Sequence, residues 1–307
     1  ICSFDLIDAI KYILTKADTI VVFRINECDK RKGHRIELLD RLIIENAKIS
    51  DKVIFISNWL KQLFLAKEDT LVDKSVVIVN GADKSIFNSI GCQKWNRQEP
   101  LKIVTHHWGA HWFKGFDVYL TLDNLIGNEY KGKVEFTFIG NINKKIKFKN
   151  TAVIPPISGK RLAEEIKKNH IYLTASINEP AGMHHIEGAS CGLPILYRNS
   201  GALPEYCDGY GISFNGPLDF EKKLKEMMRK YDFFSKKVRN YRNNAKKMLE
   251  GYYKLFSDLI NKKKDIIKKR KLNRMDLYKF MLFITIFKVV LRLKETITNI
   301  ATKLNKL

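Results

Sequence analysis

The chain alternates short, continuously apolar runs with longer amphipathic segments, and this pattern limits its fold more than any other feature. Lys52-Val53-Ile54-Phe55-Ile56 and Ile171-Tyr172-Leu173-Thr174 are typical of the runs. A strand that is apolar on both sides must be covered on both faces, which is the condition of parallel strands joined by helical crossovers. An α/β fold with doubly wound parallel sheets is therefore expected. The first series places strands at 19–23, 52–56 and 75–79 and helices at 5–16, 35–47 and from Asn58, with Ser57 as its cap. It closes on the turn dipeptide Asn80-Gly81. Pro100 opens a second series, with strands at 101–105, 134–139, 151–154, 171–174, 194–197 and 211–214 and helices at 116–125, 158–168 and 187–191. Six parallel strands make a complete doubly wound domain. Three leave much apolar surface uncovered, so the first domain reads as incomplete on its N-terminal side, and Ile1 as the start of a fragment.

In such sheets ligands lie outside the carboxyl ends of the strands, and His106, Lys114, Glu179 and Glu187 all follow strand ends. Glu179 and Glu187 are set around an expected helix start, with Gly182 just before it. A helix start offers free backbone N–H groups and a positive dipole end, which suit a phosphate. An ionised carboxylate only accepts hydrogen bonds and so suits hydroxyl groups. Phosphate plus several hydroxyls in one pocket describes a nucleotide sugar. Glu187 taken alone is equally explained as an acidic residue stabilised by the helix dipole.

Hydrophobic content of 45% and aromatic content of 11% mark a globular chain rather than a disordered one. The net charge of +22 is concentrated, with +18 in residues 221–307 and +4 in the rest. An anionic partner surface, lipid or nucleic acid, is implied for the C-terminal part. A basic run over 261–274 precedes an apolar stretch from Leu277 to Leu293 that Lys279, Lys288 and Arg292 interrupt. Its unbroken core, Phe280 to Phe287, is far short of the roughly 20 residues that span a bilayer. It reads as an interfacial anchor, the other possibility being a helix packed on the first domain. Nucleic acid is not expected, because the tail has no aromatic stacking platform. Five scattered cysteines without CxxC spacing, and no signal peptide, suggest reduced thiols in a cytoplasmic protein.

Several stretches in order carry a resemblance: Val53 to Leu60, Val77 to Asp83 with Phe87, Lys114-Gly115-Phe116-Asp117, Phe138-Ile139-Gly140, Glu179 to Pro194, Gly201 and Pro204-Glu205. Over about residues 19–215 the chain resembles the retaining, nucleotide-sugar-dependent glycosyltransferases of family 4. Arg24 to Asp29 and His106-His107-Trp108 resemble a bacterial polysaccharide-assembly branch. The resemblance implies the GT-B fold, two Rossmann-like domains facing a cleft. Residues 1–83 would be the partial acceptor-side domain, 84–99 a linker, 100–220 the nucleotide-sugar domain, 221–260 C-terminal helices and 261–307 the basic amphipathic tail. Glu179 and Lys114 would be the catalytic pair, Lys114 on the donor diphosphate and Glu179 near the donor sugar. Glu187 would hold the ribose, Gly182 and Met183 would give N–H groups to the diphosphate, and His184 would line the same site. Asn80-Gly81 would be an interdomain hinge in which glycine tolerates a positive φ.

Two departures from the family pattern stand out. Trp108 occupies the place of an arginine usual about six residues before the lysine, so His106, His107 or His111 are candidates for the missing phosphate or acceptor contact. No histidine follows the first strand, leaving Arg24 or Asn26 for that role. The histidines fit no standard metal-ligand spacing, so neither metal nor cofactor is expected beyond the nucleoside diphosphate sugar as co-substrate. The implied activity is transfer of a sugar with retention to a glycan or lipid-linked acceptor, at the cytoplasmic face of an anionic inner membrane. The alternative is a non-catalytic, basic membrane- or nucleic-acid-binding protein with a degenerate GT-B fold.

Overall fold

The computed structural model describes residues 18–33 and 37–270, and in the C-terminal part residues 275, 276, 278–287, 289, 290 and 293. The expected helix at 5–16 lies outside them. The described residues form two parallel sheets. The first has the order β1 (Val22–Ile25), β2 (Lys52–Phe55), β3 (Ser75–Val77). Helices α1 (Leu38–Ile49) and α2 (Asn58–Leu65) make its crossovers.

The second sheet contains β4 (Leu101–His107), β5 (Val134–Gly140), β6 (Ala152–Ile154), β7 (Ile171–Thr174), β8 (Ile195–Arg198) and β9 (Gly211–Phe214), in the order β6-β5-β4-β7-β8-β9. All its pairings are parallel. Its helices are α3 (Phe116–Gly127), α4 (Gly159–Lys167), α5 (Met183–Ser190) and α6 (Leu203–Cys207), followed by α7 (Pro217–Val238), α8 (Ala245–Asn261) and α9 (Lys263–Lys269). The strand order reverses direction between β4 and β7. A crevice opens at such a switch point, because the two crossovers leave to opposite faces.

Burial explains the arrangement. Strands β7 and β8 are buried at every position, as the continuous apolar runs require. One face of the second sheet packs Phe116, Tyr119 and Leu122 of α3 and Phe220, Leu224 and Met227 of α7 against Phe136, Phe138 and Leu196. The other core is continuous between the domains, joining Phe55, Leu60 and Phe64 to Tyr172, Ile186, Leu203 and Tyr206. Each fully buried side chain of this size contributes roughly 1.5–3 kcal/mol, so the interface is part of the folded core.

Three expectations need correction. Helix α5 begins at Met183, four residues earlier than the periodicity suggested, so Glu187 lies in its second turn rather than at its start. Helix α6 was missed because it is only one and a half turns long and has Pro204 inside its first turn. Gly81 is not among the glycines with positive φ. A Cβ there would stand 2.1 Å from the Asn244 carbonyl carbon, so glycine is needed for the close approach of the α8 cap, not for a left-handed hinge.

The helical residues after 275 pack on α1. Phe280, Ile284 and Phe287 are buried with Leu42 and Ile49. The inner side of the apolar run Phe280 to Phe287 is thus already covered by protein, which removes these three from the lipid contact expected of them. The opposite side leaves Tyr278, Leu282, Ile286, Val289, Val290 and Leu293 exposed. Among the described residues no helix is long and apolar enough to cross a membrane.

Candidate active site

The switch point brings together the segment after β4 and the segment after β7. The first makes a tight turn, Trp112–Lys114, and puts the Lys114 side chain into the interior. The second is the loop Ala175–Gly182 leading to α5. Lys114 Nζ donates to Glu179 Oε2 at 2.7 Å, with the two side chains 5% and 1% exposed. Breaking such a buried pair leaves an uncompensated charge, which costs about 3–5 kcal/mol. Burial pushes the Glu179 carboxyl up, but the charges of Lys114 and Arg31 outweigh it and hold the group down at about 2. Glu179 is therefore ionised at neutral pH.

The Glu179 loop is strained and clamped. Asn178 and Ala181 adopt positive φ, 52° and 139°, conformations that cost non-glycine residues about 1–3 kcal/mol each. Ser57 Oγ donates to the Pro180 carbonyl at 2.8 Å and Asn80 Nδ2 to the Ala181 carbonyl at 2.8 Å, both from the first domain. On the other side the Ala202 amide donates to the Glu179 carbonyl at 2.8 Å. Gly201, at φ 63°, allows this: a Cβ there would lie 2.5 Å from the Glu179 nitrogen. Strain kept in place by contacts from both domains fixes where the carboxylate points.

Glu187 lies one turn into α5. His106, the penultimate residue of β4, faces it at 2.8 Å through Nε2. The Tyr172 hydroxyl accepts from the His106 amide at 3.2 Å and lies 3.0 Å from its Nδ1. The tyrosine proton is thus free to go to Nδ1, which leaves the proton on Nε2 for Glu187. His106 is a positioning residue for Glu187, and Tyr172 for His106. The first residues of α5 have Gly182 as N-cap and receive no side-chain cap, so backbone N–H groups at Met183 remain open to an anion.

The other candidates are placed as follows. His107 turns inward, with Nε2 2.6 Å from the Tyr119 hydroxyl and 3.2 Å from Thr105 Oγ1. Burial, then the charge of Lys114, keeps it neutral, with its pKa well below the ordinary value. His184 Nε2 contacts Thr174 Oγ1 at 2.8 Å, and burial likewise pushes its pKa far down. His107 is corrected from phosphate contact to interior support. His111 is half-buried, with Nδ1 unpartnered and its pKa lowered to about 4 by burial and then Lys114. Arg24 is spent elsewhere: Nε donates to the Tyr252 hydroxyl and a terminal nitrogen to Asn80 Oδ1, each at 2.8 Å. Asn26 is half-buried on the same segment. Among the described residues no group of three or more His, Cys, Asp or Glu is arranged to hold a metal ion.

Arg31 was not anticipated. It lies in the 3-10 turn Asp29–Lys32, with Nε 3.7 Å from Glu179 Oε1. The only signal in the sequence was its place seven residues beyond Arg24, just past the end of the stretch that carries the resemblance.

Residues 124–248 match the family model for Glycosyl transferases group 1, a span that includes Glu179 and Glu187. No curated protein sequence matches the chain. Among solved structures it is similar to HepE from Anabaena in complex with UDP-glucose, with TM-score 0.65 and 13% identity over 83% of this chain and 76% of that one. The chain has the GT-B glycosyltransferase fold. S. aureus TarM gives TM-score 0.61 and 17% identity, and sucrose-phosphate synthase from Thermosynechococcus elongatus 0.59 and 14%. The chain spans 50% of that TarM chain and 68% of that synthase while 76% and 78% of it is covered. Family match and GT-B fold together support a glycosyltransferase.

Proposed function

We propose that this GT-B chain is a retaining, family 4 type glycosyltransferase that takes a sugar from a nucleoside diphosphate. The observation that carries the reading is the buried Lys114–Glu179 pair at the β4–β7 switch point, beside the open start of α5. In this reading Glu187 holds the ribose hydroxyls, with His106 fixing its orientation. The Met183 end of α5 and Lys114 take the diphosphate, and Glu179 takes hydroxyls of the donor sugar. Charge that develops on the leaving diphosphate is then met by a preorganised cation and a helix dipole. These groups supply the positive charge from the protein itself, with no metal or other cofactor assigned a role. HepE is described in complex with UDP-glucose and TarM with UDP, which agrees with a donor of this class.

The leaving diphosphate, rather than a side chain, accepts the proton of the incoming nucleophile, and the donor's anomeric configuration is kept. The acceptor is a glycan or a lipid-linked molecule facing the first domain. The basic C-terminal part contacts an anionic membrane at the cytoplasmic face, through the exposed side of the helix after residue 275 and the lysines before it. A thermal-shift panel of UDP, GDP and ADP and their sugars tests donor binding, with stabilisation by at least one diphosphate expected. Detection of transfer or donor hydrolysis separates this reading from a non-catalytic fold. NMR of the first-formed product tests retention, and an inverted anomer contradicts it.

A further inference from the structure

The turn Asp29–Lys32 belongs to the first domain but is built into the wall of the second. Within its own domain it is fixed by a reciprocal pair: the Asp29 amide donates to Asp40 Oδ1 at 2.8 Å and the Asp40 amide to Asp29 Oδ2 at 2.9 Å. Across the cleft, Asn178 Nδ2 donates to the Lys30 carbonyl at 3.3 Å. Gly33 ends the turn against the Phe113 ring, which a Cβ at that position would meet at 2.5 Å. Both flanks of Arg31 thus rest on the segments that carry Glu179 and Lys114.

Within this turn Arg31 is half committed. Its terminal nitrogen pairs with Glu27 at 2.6 Å. Its Nε is buried and has no hydrogen-bond partner, and Glu179 Oε1, 3.7 Å away, is likewise buried and unpartnered. His111 Nδ1, on the turn before Lys114, is a third buried polar atom without a partner. A buried donor and acceptor that face each other beyond hydrogen-bond distance cost free energy unless something polar comes between them. The guanidinium is the side chain best matched to phosphate oxygens, through its planar fork of donors.

We propose that Arg31 binds the distal phosphate of the donor diphosphate, so that the first domain supplies one of the cations of the donor site. The inference rests on the donor-site reading above and adds a residue to it. Glu187 sets the nucleoside end of the ligand and Glu179 the sugar end. Arg31 lies at the Glu179 end, and so meets the phosphate that stays bonded to the sugar until transfer. It fills the need left where Trp108, 64% exposed, stands before Lys114. Because the turn that carries Arg31 already rests on the second domain through Asn178 and Phe113, the guanidinium is held in place before the donor arrives.

The test is calorimetric titration of the full chain and its Arg31→Gln and Arg31→Lys variants. The probes are whichever of UDP, GDP or ADP binds the wild type most tightly, and the corresponding monophosphate. Loss of a charge-assisted contact predicts a fall in diphosphate affinity of about tenfold to a hundredfold in Arg31→Gln, and about threefold or less for the monophosphate. Arg31→Lys retains the charge without the fork and is expected between wild type and Arg31→Gln for the diphosphate. A merely structural arginine would weaken both ligands equally, so an unchanged diphosphate-to-monophosphate ratio overturns the inference. If Arg31→Gln fails to fold, the same ratio in Arg31→Lys decides. Failure of the wild type to bind any of the three diphosphates would overturn the donor-site reading and this inference with it. Tight binding by the wild type with no change in either variant would overturn the inference alone.

Discussion

Glu205 of α6 caps helix α2 of the opposite domain through Asn58. Its two carboxylate oxygens accept the Asn58 amide at 3.0 and 2.8 Å, and one also accepts the Trp59 amide at 3.3 Å. A helix start presents unsatisfied N–H groups and a positive dipole end, and here a carboxylate from the other domain meets both. Ser57, the N-cap of the same helix, accepts from the Leu60 amide at 3.1 Å while donating to the Glu179 loop. One helix start therefore ties the domains together and holds the Glu179 loop.

Glu205→Ala is expected to lower unfolding free energy by about 1–2 kcal/mol, the range for loss of a helix cap. Glu205→Gln keeps an acceptor and should cost less than half of that. Urea denaturation followed by circular dichroism measures both, and equal stability of Glu205→Ala and wild type would contradict the assignment.

Tyr206→Phe should be more damaging than its single oxygen suggests. The hydroxyl donates to the Ile56 carbonyl at 2.5 Å and accepts from the Asn80 amide at 2.9 Å, and the ring is buried. Removing it strands two buried backbone groups, at about 1–3 kcal/mol for each one left unsatisfied. A loss under ~0.5 kcal/mol by the same measurement would show that the two groups find other partners.

Acid should destabilise this fold before most carboxylates titrate. Burial, against the opposing pull of Glu179, lowers His185 to about 4, and both its ring nitrogens lack partners. The unfolded chain takes up this proton near the ordinary histidine value, the folded chain only near 4. Stability is therefore lost as pH falls from about 6.5 towards 4, by on the order of 2 kcal/mol at pH 5 for this residue alone. Glu179 acts lower: its stabilisation is present above its ordinary carboxyl value and is lost as pH falls from there towards about 2. Denaturation midpoints that are flat from pH 7 to pH 5 would contradict the histidine part.

The two sides of the C-terminal helix should separate in experiment. Ile284→Ala opens a cavity against α1 and is expected to cost about 2–4 kcal/mol. Leu282→Asp and Ile286→Asp lie on the exposed side and should leave stability within ~0.5 kcal/mol while weakening sedimentation with anionic vesicles. Unchanged sedimentation of the double variant would remove the membrane contact proposed for that side.

Much of this was legible in the sequence because continuous apolar runs leave few choices. Ile171–Thr174 and Gly211–Phe214 form strands with the expected bounds, and Ser57 caps as its residue type suggests. The division into two series of parallel strands followed from the alternation, while the order of strands within each sheet is known from the structure alone. What could not be read were contacts set by tertiary distance. Nothing local marks Arg31 as Glu179's neighbour, since 148 residues separate them and the packing of Gly33 on Phe113 and the Asn178–Lys30 hydrogen bond bring them together. His107 was misplaced for a similar reason. Alternation along β4 leaves open which of two adjacent histidines faces the cleft, and the Tyr119 hydroxyl inside the core takes the second one. The start of α5 was misjudged because Met183-His184-His185 carries no helical periodicity of its own. Its neighbours β4 and β7, not its composition, select the helix.

One titration tests the donor site most directly. Glu187, oriented by His106, is assigned the ribose, so calorimetry of the best-binding nucleoside diphosphate against wild type and Glu187→Ala isolates the donor site. Loss of hydrogen bonds to a charged acceptor predicts affinity weaker by about 1–3 kcal/mol in Glu187→Ala. Equal affinity of the two proteins, or no measurable binding by the wild type, would contradict it.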